Sequence, residues 1–432
     1  MKYSIVTFGC RVNQADSFVI EEELRRRGGV DVAPEEADLV VINSCSVTAA
    51  ADQGTRQTIR RIVRSNPDAR VVVTGCYATR RPEDIRELPN IVRIVSNDDK
   101  DSLVSLLEHE GELTTAQRFD GEDGPCGLSA EAAAKAGMAL EPGVAGRTAL
   151  TLRVQTGCDE RCSYCIIPST RGTGRSRPLS AVLRDVRRAS DAGYREVAIT
   201  GVHLGSYGRD LDDGTTLTHL VRELGDWPED VLFRISSLEP MDCTPEIVDV
   251  ASRSKRIAPH FHLPLQHGSD SILSAMNRPY TASYYRDLVE RIRSTIPHAA
   301  IGTDVIVGFP GETEADFEVM SALLERLPIS YVHVFPYSDR PGTAAASFAG
   351  KVDGQVVRTR GRAVRDIAAR HASAFRQSQI GRTVRALTVD DGQAVVTDNY
   401  LKLRLEERRP RNAWVAVRVK DEVVGEVVQA GP

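Results

Sequence analysis

The chain has no apolar run near the ~18–20 residues that cross a bilayer, which excludes a membrane-spanning helix. Its start, MKYSIVTFGC, lacks the charged head, long apolar stretch and small-residue cleavage site of a secretory signal. The expectation is a cytoplasmic protein. No P-loop, HExxH, GxSxG or GxGxxG occurs. Phosphoryl transfer on a Walker loop, zinc proteolysis and simple Rossmann hydride transfer therefore lack their usual sequence support. Lysine is scarce, 7 of 55 basic residues, the rest being arginine. So lopsided a ratio reads as composition bias. A net charge of −5 argues against a globally basic nucleic-acid binder.

What is present is an ordinary globular composition, 41% hydrophobic and 27% charged over 432 residues, enough for about three domains. Eight cysteines in a reducing compartment point to metal or chemistry rather than four disulfides. The segments YSIVTFGC, ADLVVINSC and ARVVVTGC read as strands buried on both faces. Helical patterns separate them. One starts at an expected Asp16 cap, turns Phe18, Ile20 and Leu24 inward and stops at Gly28 and Gly29. Residues 1–110 are thus expected to form an α/β domain, a doubly wound parallel sheet. The strands finish at Cys10, Cys45 and Cys76. Parallel strands share one carboxyl edge, where such sheets bind ligands, so three distant cysteines arrive at one place.

Residues 111–146 lose the strand signals and read as a linker, with Cys126 an incidental thiol. From 147 to 375 six strand–helix units predict an open, partial βα barrel, with its site at the carboxyl ends of the strands. From 376 to 432 short strands without helices predict a small antiparallel β-barrel. Before it, 351–382 carries Lys351, Arg358, Arg360, Arg362, Arg365, Arg370, Arg376 and Arg382 against two acidic residues, a candidate anion-binding stripe.

The strongest local signal is GCDERCSYC, with Cys158, Cys162 and Cys165 just after the first barrel strand. Zinc is a weak alternative, because no second CxxC or His pair follows. Three thiolates on a four-iron cluster leave one iron open to a substrate or cofactor.

CxxxCxxC after the first strand of a partial barrel resembles the radical S-adenosylmethionine superfamily. The whole arrangement resembles the methylthiotransferases within it, through TFGCRVNQADS, VINSCSVTAAAD, VVVTGCYA, GCDERCSYCIIPSTRG, HLPLQHGSDSILSAMNR, VIVGFPGET and PYSDRPGT. The resemblance implies a 4Fe-4S cluster on Cys158, Cys162 and Cys165 whose open iron chelates S-adenosylmethionine, with Tyr164 beside the adenine. It implies a second, auxiliary 4Fe-4S cluster on Cys10, Cys45 and Cys76, where sulfur is held and methylated. S-adenosylmethionine then has two roles, methyl donor and radical source. The C-terminal barrel, with TDNYLKLRLE, resembles the RNA-binding TRAM domain. Further expected cofactor contacts are Thr200 and Gly201 near the methionine part, Gln266 at a strand end with His267, and Gly308 and Gly311 shaping the pocket. Cys243 is read as structural.

Relatives of this kind modify N6-isopentenyladenosine or N6-threonylcarbamoyladenosine in tRNA, or an aspartate of a small-subunit ribosomal protein. GCRVN stands where the first branch shows GCQMN, and VTAAADQGTRQTIRR resembles the threonylcarbamoyladenosine branch. Ser44 departs from the threonine common before the second cysteine. The expected reaction is 2-methylthiolation at tRNA position 37, the anticodon loop presenting the base already unstacked. Expected partners are tRNA, an electron donor such as flavodoxin or ferredoxin, and a sulfur donor. Arg56, Arg60, Arg61 and Arg64 are candidate backbone contacts. A non-catalytic metal-bound RNA-binding protein is disfavoured, because RNA binding needs no open iron.

Overall fold

Runs such as VVIN and VVVT are stable only where both sheet faces are covered. In the computed structural model, which describes residues 1–109, 141–142 and 148–428, they lie at the centre of a five-stranded sheet. The order is β2 (Val30–Asp31), β1 (Lys2–Thr7), β3 (Leu39–Ser44), β4 (Arg70–Gly75) and β5 (Ile91–Ile94), all parallel. Every residue of β3 is buried. Val40, Ile42, Val71 and Val73 pack with Ile59 and Ile62 of helix Ala49–Ser65. Tyr3, Leu39 and Val41 pack with Ile20 and Leu24 of helix Arg11–Arg26, and with Leu103 and Leu107. The sheet is doubly wound, as the alternation of patterns predicts.

One expectation fails here. The first helix does not start at Asp16. Cys10 is its N-cap residue, and Asp16 lies mid-helix, only 2% exposed. A carboxylate in that position is retained because two cations reach it. The linker expected over 111–146, with Cys126, lies outside the described residues apart from 141–142.

The chain divides into two units. The first comprises Met1–Glu141, Gly157–Asp159 and Ile166–Thr173, and the second comprises Pro142–Thr156, Glu160–Cys165 and Gly174–Pro432. In the second, β6 (Leu150–Thr156), β8 (Glu196–Gly201) and β9 (Leu232–Ile235) are parallel neighbours, with the short β7 (Arg175–Ser176) antiparallel on the β6 edge. β10 (His260–His262), β11 (Ala300–Val307) and β12 (Tyr331–Pro336) form a second parallel set. Six βα units that do not close on themselves make the open barrel expected. Threonine caps start four of the intervening helices: Thr216, Thr244, Thr281 and Thr313 each accept a bond from a first-turn backbone N–H, and Thr313 with Asp316 forms a capping box.

The C-terminal strands β13 (Thr383–Val389), β14 (Ala394–Thr397), β15 (Lys402–Leu405), β16 (Trp414–Val419) and β17 (Val424–Val428) close into a barrel in the order β13-β14-β15-β17-β16. Ala386, Val395, Leu403 and Val417 fill it. One pair, β15 with β17, is parallel. A closed ring with an odd number of strands cannot alternate direction throughout, so the antiparallel expectation holds for every pair but one.

The basic stripe is also corrected. Helix Gly354–Gln379 carries most of it, yet Arg360 is 5% exposed and bound to Glu312 and Glu314 at 3.0 and 2.8 Å. Lys351, Arg370 and Arg376 pair with Asp339, Glu325 and Glu422. What faces solvent as one cationic row is Arg358, Arg362 and Arg365. Among the described residues no helix is long and apolar enough to cross a membrane.

Candidate iron–sulfur and cofactor site

Cys10, Cys45 and Cys76 stand just past the carboxyl ends of β1, β3 and β4. Gly9, at φ +87°, lets the chain turn there, and a Cβ on it would come within 2.5 Å of Cys45 Sγ. The Cys45 thiol thus lies against the backbone that bears Cys10. Cys45 and Cys76 are buried and Cys10 is exposed. Burial pushes the Cys45 thiol up to about 11, against a backbone hydrogen bond at Val47 and with charge on Cys76 and Cys10 adding to the rise. Such a thiol is a poor nucleophile by itself and becomes a thiolate only on binding a cation. Three thiols within electrostatic reach of one another fit a cluster that offers iron to each.

A buried polar ring backs these thiols. Lys100 Nζ donates to Asp16 Oδ2 at 2.9 Å and to Asn43 Oδ1 at 3.1 Å. Arg171 donates to Asp16 Oδ2 at 2.9 Å and to Asn13 Oδ1. Asn43 Nδ2 donates to the Asn13 carbonyl at 2.8 Å. Burial lowers the Lys100 pKa, with Asp16 opposing it. Arg171 is held charged by Asp16 and by Cys76 and Cys10, which outweigh its burial. Asn97 Nδ2 lies 3.6 Å from Cys76 Sγ and donates to the Thr170 carbonyl at 2.7 Å. None of Asn13, Lys100 or Arg171 stood out in the sequence.

The second cysteine set occupies the loop after β6. Cys158 belongs to the first unit, and Cys162 and Cys165 belong to the second. Cys158 N donates to the Gly172 carbonyl at 3.0 Å. Cys165 N donates to the Cys162 carbonyl at 3.1 Å, folding those two into one turn. All three are half-buried. Tyr164 packs on Ile272, Met276, Phe309 and Ala345, and burial raises its pKa well above the usual phenol range. The Arg278 guanidinium reaches Cys162 Sγ at 3.1 Å.

The other expected pocket residues sit on the barrel strands. Thr200 is buried and Gly201 ends β8, close to the Gln155 side chain. Gln266, in a left-handed conformation at φ 66°, bridges to β11 through Asp304 and Ile306. Gly308 and Gly311, at φ 78° and 86°, form a turn closed by the Glu312 carboxylate, which accepts from the Gly308 and Phe309 backbone N–H groups and from Arg360. Glu312 and Arg360 are the residues that shape this turn, and only pairing across 48 positions reveals it. His267 is fully buried, and burial lowers its pKa to about 4. Deeper along the strands, Asp304 accepts from His262 and His333 at 3.1 and 3.0 Å. Burial raises its pKa, but those bonds hold it down to about 2.

Comparison with known proteins agrees with this arrangement. The uncharacterized protein family UPF0004 matches residues 2–97, and the radical SAM superfamily matches residues 152–324. The threonylcarbamoyladenosine tRNA methylthiotransferase MtaB of Aquifex aeolicus is 36% identical over 94% of this chain and 97% of its own length. The protein of the same name from Bacillus subtilis is 37% identical over 81% of this chain and 76% of its own. A tRNA-2-methylthio-N(6)-dimethylallyladenosine synthase of Acidothermus cellulolyticus is 32% identical over 99% of this chain and 84% of its own. The fold is shared with the radical S-adenosylmethionine methyltransferase TsrM from Kitasatospora setae, solved with cobalamin and a [4Fe-4S] cluster. The TM-score is 0.55, at 16% identity, covering 80% of this chain and 77% of that one. Two cysteine sets, an open α/β barrel and relatives of this identity and coverage lead to one conclusion: the chain is an enzyme of the radical S-adenosylmethionine methylthiotransferase family.

Proposed function

We propose that the enzyme converts N6-threonylcarbamoyladenosine at tRNA position 37 to its 2-methylthio derivative. The carrying observation is the name shared by relatives 31–37% identical over most of the chain. In this reading Cys158, Cys162 and Cys165 hold one 4Fe-4S cluster, and Cys10, Cys45 and Cys76 hold the other. When bound, the clusters and S-adenosylmethionine supply the deoxyadenosyl radical and the methylthio group. The chain's own residues do the rest. Tyr164 offers an apolar face beside the cysteine turn, and Thr200, Gly201, Gln266, Gly308 and Gly311 line the cofactor's place. Lys100 and Arg171 set positive charge beside the auxiliary thiolates. Low-potential flavodoxin or ferredoxin and a separate sulfur donor complete the reaction.

Mass spectrometry of tRNA nucleosides from cells with and without the gene tests this reading. The 2-methylthio-threonylcarbamoyl nucleoside should vanish and its unthiolated precursor accumulate. Loss of the 2-methylthio-dimethylallyl nucleoside instead would move the chain to the other named branch. An unchanged nucleoside profile would reject tRNA as substrate.

The tRNA backbone is proposed to lie along helix Ala49–Ser65, where Arg60, Arg61 and Arg64 are exposed. Arg56 is instead tied to the Tyr77 hydroxyl and is not free for RNA. The double change Arg60→Glu, Arg64→Glu should weaken tRNA binding on the order of tenfold at low salt, and less as salt screens it. Iron content should be unaffected. Equal affinities in a salt series would reject the placement.

A further inference from the structure

The turn around SAMNR, which the sequence offered only as part of a family motif, grips the cysteine loop. It follows helix Asp270–Ala275. Ser163 N donates to the Met276 carbonyl at 3.1 Å, and Ser163 Oγ to the Ala275 carbonyl at 2.8 Å. Asn277, left-handed at φ 56°, donates from Nδ2 to the Arg161 carbonyl at 2.9 Å. From the same turn Arg278 extends a side chain that is only 2% exposed. Its Nη1 donates to Cys162 Sγ at 3.1 Å and its Nε to the Tyr280 hydroxyl at 3.1 Å, while Nη2 pairs with Glu239. The Tyr280 ring lies beneath the guanidinium, 5.1 Å from centroid to Cζ. Tyr280 is itself fixed by bonds to the Pro264 and Leu265 carbonyls. Burial works against the charge on Arg278, but Tyr164, Tyr280 and Cys162 outweigh it and hold the group cationic.

A guanidinium locked on four sides is a fixed dipole and charge aimed at one sulfur. Hydrogen bonds to ligand sulfurs and nearby charge are among the levers that set an iron–sulfur reduction potential. One-electron reduction adds one negative charge to the cluster and its thiolates. A cation bonded to a thiolate favours that state, and a carboxylate behind it disfavours it. We propose that Arg278 is a positioning residue that raises the reduction potential of the radical-generating cluster through Cys162, and that Glu239 tempers the effect. This rests on the reading that Cys162 ligates that cluster.

The test uses the full-length protein with Cys10, Cys45 and Cys76 replaced by alanine, so that one cluster remains. Midpoint potentials come from reductive titration followed by electron paramagnetic resonance. Arg278→Gln should make the cluster about tenfold harder to reduce, a shift of about 59 mV for one electron, towards negative potential. Arg278→Lys should recover part of it, since the charge stays while the fork is lost. Glu239→Gln should shift the potential the opposite way. Opposite signs for the two partners of one ion pair are the signature. Shifts of the same sign, as simple loosening of the loop would give, overturn the proposal, and so do unchanged potentials with full iron content. If the parent protein with one cysteine set holds no cluster at all, the ligand reading itself fails, and the result is distinct from either.

Discussion

The full-length protein carrying Cys10→Ala, Cys45→Ala and Cys76→Ala should bind about four irons instead of about eight and still cleave S-adenosylmethionine, yet form no methylthiolated tRNA. The reciprocal set, Cys158→Ala, Cys162→Ala and Cys165→Ala, should also hold about four irons but release no 5′-deoxyadenosine at all. The asymmetry follows from placement. The first set caps parallel strands of an α/β sheet, and the second follows the first strand of the barrel. Each set is anchored by its own surroundings: Cys45 by the close passage of Gly9, Cys162 by the turn at 275–278. Loss of one set therefore leaves the other's geometry intact. Iron and sulfide analysis with chromatography of the nucleoside products reads both halves. Loss of all iron from either variant would show that the sets are not independent.

The second large effect is expected from a single methyl group. Gly157 immediately precedes Cys158 and has φ +73°. A Cβ there would overlap the Thr173 carbonyl and press on Gly172 O at 2.9 Å. Both obstacles are backbone, and Gly172 O is the acceptor that holds Cys158 N. Neither can swing away as a side chain would. The left-handed conformation adds about 1–2 kcal/mol for any residue with a Cβ. Together these place Gly157→Ala among substitutions costing about 4 kcal/mol or more, if the loop keeps its path. The cheaper response is for the loop to move. Gly157→Ala should thus remain folded by circular dichroism but lose the irons held by Cys158, Cys162 and Cys165 and all S-adenosylmethionine cleavage. An alanine variant with normal iron content and cleavage would mean that the close approach is not required.

Much of this was legible from sequence because it is written locally. The β3 and β4 runs announce burial on both faces, and cysteines at their ends announce a shared edge. Cys243, read as structural, is buried, and burial pushes its thiol up to about 12. What stayed hidden is pairing at a distance. Asp16 looks like a helix cap until Lys100, 84 residues on, and Arg171, 155 residues on, are seen to share its carboxylate. Arg360 looks like one more solvated arginine until Glu312 is found opposite. Arg278 lies 116 residues from the sulfur it touches. A local pattern records periodicity and turn chemistry. It carries no mark of which buried charge meets which.

The Asp16–Arg171 bond also bears on how such a gene can be cut and recombined. Arg171 stands six residues after the last cysteine of the barrel's motif, inside the segment 152–324 that matches the radical superfamily, yet its partner belongs to the segment 2–97. A fragment starting at 148 would carry Arg171 without the Asp16 carboxylate and the Asn13 amide oxygen that it bonds in the full chain. A chimera joined between 109 and 148 inherits the bond only when its first half brings an acid to the Asp16 position. Exchanging the 2–97 segment for one without an acid at that position removes the carboxylate that Lys100 and Arg171 share.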